Sequence, residues 1–500
     1  MKVEILGETL LPEYSEIFKE IFTFHNNKPL FKILVSSRWI LTKDIFPVIS
    51  PIDENTVAYF SLANLDILNE AINSLRENQR ELKRLPSYKR AEMLEKSSKI
   101  MEEYKKELIY TLVIEAGKPI HEAEGEVNAS IERLKLVYQE LGRLMDKAIA
   151  GDQAKGSEKR YAVIVREPVG IVAVITPFNY PLFTPVAKIC SALISGNCVL
   201  FKPSSKTPII ASLLSKILDE AGFGKYLCFL TAGGGIIGDS IVSNPYIRAV
   251  AFTGSTEVGK RISRVAVLKK LQLELGGKAP AIILDDADLK LAANAVAAGA
   301  FRLAGQRCDA ISRVLIHESI YEEFKEILLN EREKWIVGDP RDNKTKVGPL
   351  IDSRAVQKVH ELVEDALSKG AKLLAGGEYF KLYYDTTILS EVNLDSRICW
   401  EETFGPVIPL IKIKNIEEAI EISNKSNFGL DACVFTKDIN KAWEVAKELE
   451  CGSVTINDMP RHGLGIFPFG GYKDSGIGRE GIGFTLEEVT EIKSIIFNLY

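Results

Sequence analysis

Between residues 61 and 146, apolar residues recur at intervals of three and four, and charged residues fill the positions between them. This period places the apolar side chains on one face of a helix. It predicts three helices, at 61–85, 87–116 and 121–146. Pro86 and Gly117 stand where the first two helices are expected to end. Residues 1–60 show no clear period, although 33–46 predicts short strands.

From residue 161 onward, short apolar runs alternate with helical segments. The runs that predict strands are 161–178 (with a turn at 168–170), 198–202, 226–230, 249–253, 279–284, 312–318, 385–390, 408–413, 432–436 and 452–457. The segments that predict helices are 208–222, 254–266, 289–306, 319–335, 353–370, 415–427 and 439–449. This alternation is typical of parallel, doubly wound sheets. Two such lobes, with the chain crossing near Leu273, fit the length, and the glycine-rich stretch 461–483 is not expected to form one regular element.

Length and composition narrow the class of protein. A chain of 500 residues predicts two to four lobes, and 46% hydrophobic with 26% charged residues excludes a disordered chain. The net charge of −5 disfavours a nucleic-acid partner. No apolar run approaches the roughly 18 residues of a membrane span, and the first residues lack a signal-peptide pattern. We therefore expect a cytoplasmic protein without a membrane partner.

The cysteines and histidines argue against a disulfide framework and against a metal site. Seven scattered cysteines without a C-x-x-C pair disfavour disulfides and zinc ribbons. The five histidines lack ligand spacing such as H-E-x-x-H, so no metal is expected.

Three segments could bind a phosphate or ribose. Residues 233–238 match G-x-G-x-x-G and end at Gly238, and 254–259 run from Gly254 through Ser255 to Gly259. Either would place backbone N–H groups at a helix start, which suits an anion, although a tight turn explains each equally well. Arg261 stands where a nucleotide-triphosphate loop needs Ser or Thr for magnesium, which disfavours that class.

The third of these segments, 201–206, ends a strand with Lys202, Ser205 and Lys206. Its ammonium and hydroxyl groups could hold ribose or phosphate, although a solvated loop fits the same residues.

Three residues could carry covalent chemistry. Cys308 follows a predicted helix beside Arg307, whose charge would favour the thiolate. Glu274 ends an apolar strand, where burial would raise the carboxyl pKa, as a general base requires. Asn179 lies in a turn between two prolines, from which its amide could donate to an oxyanion. Each residue taken alone also fits a structural role.

Six motifs in this order carry a specific resemblance: TPFNYP, FKPS, FTGSTEVG, ELGGK, GQRC and EETFGP. From about residue 58 to 498 the chain resembles the aldehyde dehydrogenase superfamily. The resemblance implies an α/β fold with two Rossmann-like doubly wound lobes and a small β oligomerisation arm. The implied cofactor-binding domain is 1–147 with 166–272, the catalytic domain is 273–465, and the arm and tail are 148–165 and 466–500. The arm and tail are expected to pair across subunits in a homodimer or homotetramer.

The resemblance also implies the roles of the site residues. Cys308 is the nucleophile that forms a thioester, Glu274 is the general base that hydrolyses it, and Asn179 with the backbone N–H of Cys308 holds the oxyanion. The implied cofactor-binding residues are Lys202 and Glu402 on the ribose, Phe404 beside the nicotinamide, and residues 254–259 under the pyrophosphate. Relatives that transfer the acyl group to coenzyme A generally lack this acid, so hydrolysis is expected.

Ser205 bears on the choice of cofactor. Many relatives that use NAD carry Glu at this position, where a carboxylate would repel a 2′-phosphate. A hydroxyl beside Lys202 and Lys206 would instead attract it. We expect NADP to be preferred, with NAD as the alternative.

The substrate is expected to be a phosphorylated aldehyde. GQRC, ISNKSNFGL and CWEETFGP resemble the non-phosphorylating glyceraldehyde-3-phosphate dehydrogenases, which oxidise a glycolytic aldehyde to 3-phosphoglycerate. Arg307, Tyr180 and Arg461 are the candidate phosphate partners, and Arg133 is a further one. The resemblance departs near residue 128, where an arginine of such enzymes has no match. The alternatives are a succinate-semialdehyde or broad-specificity dehydrogenase, and a non-catalytic structural relative.

Overall fold

The structure is a computed structural model that describes residues 1, 3–144 and 146–499. Its helices are α1 Glu16–Lys19, α2 Leu65–Arg84, α3 Ser87–Glu103, α4 Lys105–Ala116, α5 Ile120–Lys135, α6 Val137–Arg143, α7 Phe183–Ile194, α8 Pro208–Leu218, α9 Gly234–Ser243, α10 Thr256–Val265, α11 Leu289–Phe301, α12 Tyr321–Arg332, α13 Ser353–Ser368, α14 Ile416–Asn424, α15 Ile439–Glu448 and α16 Phe484–Glu488.

Its strands are β1 Phe22–His25, β2 Lys28–Phe31, β3 Ile33–Val35, β4 Arg38–Ile40, β5 Ile45–Ile49, β6 Thr56–Ser61, β7 Lys147–Ala150, β8 Arg160–Pro168, β9 Ile171–Ile175, β10 Cys198–Lys202, β11 Leu227–Phe229, β12 Ile247–Thr253, β13 Lys270–Glu274, β14 Ala279–Ile283, β15 Ile311–His317, β16 Lys372–Ala375, β17 Tyr379–Phe380, β18 Tyr383–Tyr384, β19 Thr387–Ser390, β20 Val407–Ile413, β21 Phe428–Gly429, β22 Asp431–Phe435, β23 Ser453–Ile456, β24 Tyr472–Lys473, β25 Gly476–Ile477 and β26 Thr490–Asn498.

The first lobe is built on an eight-stranded sheet with the order β25-β13-β12-β9-β10-β11-β3-β4. The five central strands, β13 to β11 in that order, run parallel, and β25 and β3 flank them antiparallel. The central residues of β9 and β10 are fully buried. Strands buried on both faces explain why these runs are continuously apolar in the sequence rather than alternating.

The helices before this sheet follow the predicted period, with two additional breaks. The helix expected over 87–116 divides at Tyr104, and the one expected over 121–146 divides at Leu136. Gly117 ends α4 in the left-handed conformation, with φ 67°. A side chain is disfavoured there, so this glycine stops the helix as predicted.

Residues 1–60 contain more strand than their sequence indicates. The predicted strands within 33–46 are present, and a four-stranded sheet with the order β1-β2-β6-β5 lies beside them. Phe31 stacks on Phe60 within this region, and Phe60 packs edge-on against Phe229 of β11, which holds the region to the first lobe. These contacts join residues far apart in the chain, which a local period does not reveal.

The second lobe is a seven-stranded sheet with the order β16-β19-β20-β15-β14-β22-β23, parallel except for β16. The chain leaves the first sheet at Glu274 and enters the second at Ala279, next to the crossing that the sequence predicts near Leu273. The helix predicted over 289–306 is shorter than expected, because α11 ends at Phe301.

A separate three-stranded antiparallel sheet has the order β26-β8-β7. The two segments expected to pair across subunits pair with each other within the chain, from Thr490 opposite Pro168 to Asn498 opposite Arg160. Part of the predicted tail packs on the first lobe, since Leu486 is buried in that lobe's core. The helices within the described ranges include none long and apolar enough to cross a membrane.

Candidate active site

Four strand ends of the first sheet meet at one edge. Lys202 of β10 and Phe252 of β12 are both in register with Ile175 of β9. Glu274 of β13 lies opposite Thr253. The order of the strands reverses between β9 and β12, since β10 lies on one side of β9 and β12 on the other. Doubly wound sheets bind ligands beyond the carboxyl ends of the strands at such a point.

The segment that carries Cys308 is held in an unusual backbone conformation. Leu303, Ala304 and Gly305 follow α11 with φ angles of 52°, 54° and 70°. Left-handed backbone costs a residue with a side chain roughly 1–2 kcal/mol, so the surrounding structure must impose it. A Cβ on Gly305 would lie 2.2 Å from the carbonyl oxygen of Gly405, which shows how tightly this segment packs on the 401–406 loop.

A second close approach joins Cys308 to the end of β13. A Cβ on Gly277 would lie 2.1 Å from the Cys308 carbonyl oxygen. Only glycine permits this contact, which explains the glycine pair that follows Glu274 in the sequence. The nucleophile, the carboxylate and the 401–406 loop are therefore brought together by backbone packing.

Cys308 faces a cavity of about 560 Å³ between the two lobes. The residues that line it are His121, Glu122, Gly125, Glu126, Ala129, Asn179, Tyr180, Phe183, Thr184, Thr253, Glu274, Arg302, Arg307, Cys308, Asp309, Met459, Pro460, Arg461, His462, Gly463, Phe469 and Glu480. All three predicted catalytic residues and all three predicted phosphate partners are among them.

The electrostatics around the thiol differ from expectation. Burial raises the pKa of Cys308 well above its ordinary value, and the carboxylates of Glu274 and Asp309 raise it further. The expectation that Arg307 would favour the thiolate is wrong, because Arg307 forms two hydrogen bonds to Asp309, of 3.0 and 2.7 Å. The charge of Arg307 is thus balanced locally by Asp309.

Glu274 fits the predicted general base. Its side chain is 2% exposed, and burial followed by repulsion from Glu480 raises its pKa well above the ordinary value. Its Oε1 has no hydrogen-bond partner among the described residues. Glu480 also accepts hydrogen bonds from Thr253 and from the buried Lys188. Glu274 is therefore a desolvated carboxyl beside the thiol, connected electrostatically to an ion pair.

Asn179 and the Cys308 backbone provide donors near the sulfur. The Asn179 amide nitrogen donates to the Gln306 carbonyl at 3.0 Å, which fixes the amide two residues from Cys308. An amide nitrogen has a second hydrogen to donate. Over the part of the chain that the structure describes, the Cys308 backbone N–H makes no hydrogen bond. Both groups are available to an oxyanion formed at this position.

The helix α10 begins at the carboxyl edge of the first sheet as expected for 254–259. Ser255 caps the helix by accepting from Val258 N at 3.4 Å, and Gly259 is buried against Leu275. The other glycine motif is less suited to its predicted role. Gly238 lies inside α9, and a Cβ there would meet no atom within 4 Å, so nothing packs closely on it.

The side chains of Lys202 and Glu402 have the burial and the free hydrogen-bonding capacity that a nicotinamide cofactor at this edge of the sheet would need. Lys202 is half-buried, its only hydrogen bond is a long one of 3.4 Å to Pro203 O among the described residues, and burial lowers its pKa. Burial raises the pKa of Glu402, whose carboxyl accepts a single hydrogen bond from the described residues, donated by Gly277 N at 3.3 Å. A desolvated cation and a desolvated carboxyl with spare capacity suit the hydroxyl groups of a ribose.

Phe404 and Ser205 are the other predicted cofactor residues in these two segments. Phe404 has φ 52° and packs edge-on against Phe178, with ring centroids 6.0 Å apart. Ser205 is exposed, whereas Lys206 pairs with Asp352 at 2.8 Å. The expectation of two free ammonium groups beside Ser205 is therefore correct for Lys202 alone.

The predicted phosphate partners differ in how they are held. Arg307 is 5% exposed, and its Nη1 has no partner among the described residues. Tyr180 lies against the Lys118 ammonium, 4.3 Å from the ring centroid. Arg461 is mostly exposed and pairs with Asp458 at 3.1 Å. Arg133 does not reach the cavity, because it is buried in an ion pair with Glu140.

Several polar residues that line the cavity, or that bond to residues lining it, escaped sequence analysis. Glu480 lies in the glycine-rich stretch, Lys188 inside an apolar helix, and Asp309 directly after Cys308. His462 and Asp431 come together at 3.2 Å from different parts of the second lobe. Of these residues, only Asp309 had a signal in the sequence, namely its position directly after Cys308.

A cysteine and a desolvated carboxyl at the switch point of a doubly wound sheet define an enzyme of covalent catalysis with a dinucleotide-binding fold. The chain belongs to the aldehyde dehydrogenase family, whose family model matches residues 39–495. It is an oxidoreductase that acts on aldehydes.

Individual relatives cover nearly the whole chain. A lactaldehyde dehydrogenase of Methanocaldococcus jannaschii is 40% identical, covering 93% of this chain and 100% of its own. An NADP-dependent glyceraldehyde-3-phosphate dehydrogenase of Streptococcus equinus is 37% identical, with 94% and 99% covered. A 3-sulfolactaldehyde dehydrogenase of Priestia aryabhattai is 36% identical, with 94% and 98% covered. The crystal structure of an NADP-dependent glyceraldehyde-3-phosphate dehydrogenase from Bacillus halodurans, complexed with NADP, has a TM-score of 0.92 at 36% identity, with 94% and 99% covered.

Proposed function

We propose that the protein oxidises glyceraldehyde 3-phosphate to 3-phosphoglycerate without phosphorylation, with NADP as the preferred cofactor. The observation that carries the proposal is the buried Arg307 beside Cys308, whose Nη1 lacks a partner among the described residues. A buried donor without a partner costs roughly 1–3 kcal/mol. An anionic group on a short aldehyde bound at Cys308 would relieve that cost.

The chemistry begins at the pair formed by Cys308 and Glu274. Burial raises the pKa of Glu274 and so makes its carboxylate a stronger proton acceptor, which allows it to take the thiol proton when the aldehyde is bound and to generate the thiolate. The thiolate sulfur adds to the carbonyl carbon, and the electron pair of the C=O bond moves to oxygen. Asn179 and the Cys308 N–H donate to that oxyanion.

The bound nicotinamide supplies the acceptor for the hydride released when the C=O bond re-forms. The acyl group is then held as a thioester on Cys308. Glu274 first gives up the thiol proton and then takes a proton from water; the resulting hydroxide attacks the thioester, and the carbon–sulfur bond breaks to release the acid and the Cys308 thiolate. Lys188 and Glu480 offer a polar connection behind Glu274 through which that proton can leave.

The preference for NADP rests on Lys202 and Ser205. Lys202 has no acidic partner among the described residues, and Ser205, three residues further along the chain, is exposed. The NADP complex of the similar Bacillus halodurans enzyme supports the same choice. Ser205→Glu should therefore raise the KM for NADP at least tenfold and spare the KM for NAD. An equal effect on both cofactors would contradict the assignment.

The substrate is tested by NADPH formation without added phosphate or coenzyme A. Glyceraldehyde 3-phosphate, 3-sulfolactaldehyde, succinate semialdehyde and lactaldehyde are compared by kcat/KM. Arg307→Met should lower the value for the phosphorylated aldehyde by about 10- to 100-fold, the range of a charged hydrogen bond. The value for lactaldehyde should change far less. A wild-type preference for lactaldehyde or succinate semialdehyde would overturn the proposal.

We also infer a homo-oligomer that uses the three-stranded sheet. Its strands expose several large apolar side chains in one small sheet: Ile149, Tyr161, Ile492, Ile495, Ile496 and Phe497. Apolar surface concentrated in this way is typical of interfaces. Light scattering should give a dimer or tetramer for the wild type and a smaller species for Ile492→Asp with Ile496→Asp. A monomeric wild type would refute the inference.

A further inference from the structure

His462 lies at the cavity with no role in the chemistry above. It follows β23, it is mostly buried, and its ring packs on Phe469 with centroids 4.1 Å apart. Cys308 and Arg307 line the same cavity. The His462 imidazole is therefore placed where it can contact a molecule bound at Cys308.

Two carboxylates face one edge of the His462 ring. Its Nε2 lies 3.2 Å from Asp431 Oδ2 and 4.0 Å from Asp309 Oδ2. Although burial alone would lower the pKa of His462, Asp431 and then Asp309 raise it above the ordinary value against the opposing charge of Arg307. These three are the charged groups that act on the ring, and together they favour the imidazolium. In that form both ring nitrogens are donors.

The second ring nitrogen is free to bind a ligand. Nε2 is committed to Asp431, whereas Nδ1 has no hydrogen-bond partner within the described ranges. The residue that carries this nitrogen lines the cavity. The imidazolium therefore offers one N–H to whatever occupies the cavity.

Arg307 presents a similar donor from the other side of Asp309. Asp309 accepts two hydrogen bonds from Arg307 and lies beside His462, so it holds both cations. Burial alone would raise the pKa of Asp309, but Arg307 and His462 hold it below its ordinary value. The result is two cationic donors, the Arg307 Nη1 and the His462 Nδ1, supported by one carboxylate next to the nucleophile.

From this arrangement we propose that His462 is a second anion-binding residue of the active site, which acts with Arg307 on the charged end of the aldehyde. The proposal rests on the proposed function, since it assumes an anionic substrate. It adds a dependence on pH that Arg307, which is always charged, cannot provide. Selectivity for an anionic over a neutral aldehyde should fall as pH rises through the pKa of His462.

A bound metal ion is the competing explanation for the same three residues. One ligand atom from each of Asp309, Asp431 and His462 lies within 4.8 Å of the others. Both oxygens of Asp309 already accept from Arg307, and a guanidinium at that position repels a divalent cation. Charge therefore favours the anion-binding role, and the experiment below separates the two.

The experiment measures kcat/KM for glyceraldehyde 3-phosphate divided by kcat/KM for glyceraldehyde, between pH 7 and 9. Titration of Cys308 and Glu274 acts on both aldehydes and cancels in this ratio, and the phosphate remains a dianion because its second pKa is about 6. In the wild type the ratio should fall with rising pH. His462→Gln should lower it about 10- to 100-fold at pH 7 and remove its pH dependence.

Two further variants complete the design. His462→Asn can place an uncharged donor near the Nδ1 position, so its ratio should be intermediate and independent of pH. It also keeps the test open if the Gln variant fails to fold. His360→Gln removes a histidine that bonds to Tyr384 outside the cavity, and it should match the wild type.

Several outcomes would overturn the proposal. A ratio unchanged in both His462 variants would do so, as would an equal loss for both aldehydes, which indicates a structural role. Loss of the wild-type ratio on EDTA treatment, with recovery on adding Zn²⁺, would identify a metal site instead.

Failure of the proposed substrate is distinguishable from failure of this proposal. If the wild type shows no preference for glyceraldehyde 3-phosphate over glyceraldehyde, the proposed function is wrong. The same ratio is then measured with 3-sulfolactaldehyde over lactaldehyde, which differ only by a sulfonate. A ratio for this pair that His462 variants leave unchanged would reject the role of His462 separately.

Discussion

Replacing Glu274 with Gln should change the ionisation of a different residue, Cys308. The Glu274 carboxylate is the largest charged influence that raises the pKa of the thiol. Gln keeps the shape of the side chain and removes the charge, so the pKa of Cys308 should fall. It should remain above the ordinary value, because burial and Asp309 still act on the sulfur.

The size of this fall follows from the contact between the two groups. Two unit charges about 4 Å apart interact by about 4 kcal/mol at an effective dielectric constant of 20. One pKa unit corresponds to about 1.4 kcal/mol. We therefore expect a fall of about one to three pKa units. The same substitution removes the general base, so hydrolysis of the thioester should slow by roughly 10²- to 10⁴-fold.

Alkylation by iodoacetamide reports the thiolate without substrate or cofactor. Its rate at Cys308 is followed across pH by peptide mass spectrometry, since six other cysteines are present. Glu480→Gln is the matched control, because Glu480 raises the pKa of Glu274 but does not act directly on the thiol. The control should leave the alkylation midpoint in place or raise it. A midpoint in Glu274→Gln that stays or rises, with the fold intact, would refute the reasoning.

Three further predictions follow from the site and its support. Asn179→Ala should lower kcat by about 10²- to 10³-fold through loss of an oxyanion donor, and steady-state kinetics with an unchanged kcat would exclude that role. Gly305→Ala should destabilise the protein more than the control Gly7→Ala. The two glycines have similar φ angles, 70° and 66°, but only a Cβ on Gly305 would meet a backbone oxygen, that of Gly405 at 2.2 Å. Equal losses of unfolding free energy in chemical denaturation would contradict this. Burial lowers the pKa of Lys278 to about 7, so between pH 7 and about 10 the unfolded chain binds more protons than the folded one and stability should rise with pH. Lys278→Met should flatten that rise in denaturation curves measured across pH, and an identical slope in both proteins would count against it.

The candidate catalytic residues could be singled out from the sequence because each occupies a short motif with its own chemistry. Cys308, Glu274 and Asn179 all line the cavity, as the six motifs implied. The strand ends that carry Lys202 and Glu274 were also predictable, because continuous apolar runs indicate buried parallel strands. Parallel strands end at a common edge, which brings such residues together without any knowledge of the loops.

Ion pairs between distant segments were not predictable in this way. The Arg307–Asp309 pair is an exception, because its partners lie two residues apart, although Arg307 suggested a free positive charge beside Cys308. Lys206 suggested a second cation for the cofactor, yet it pairs with Asp352 of the other lobe. A charge in a sequence carries no information about its partner, since the partner depends on which loops the folded lobes bring into contact.

The sequence by itself determined the doubly wound lobes and singled out Cys308 and Glu274 as the proposed nucleophile and general base, because hydrophobic period and short motifs are local properties of the chain. The tertiary structure alone decided the electrostatics of the site. It desolvated Cys308 and Glu274, set Glu480 behind the base, and joined His462 to Asp431. A pKa depends on every charge and dipole within several ångströms and on how much water remains, and those neighbours exist only once the chain has folded.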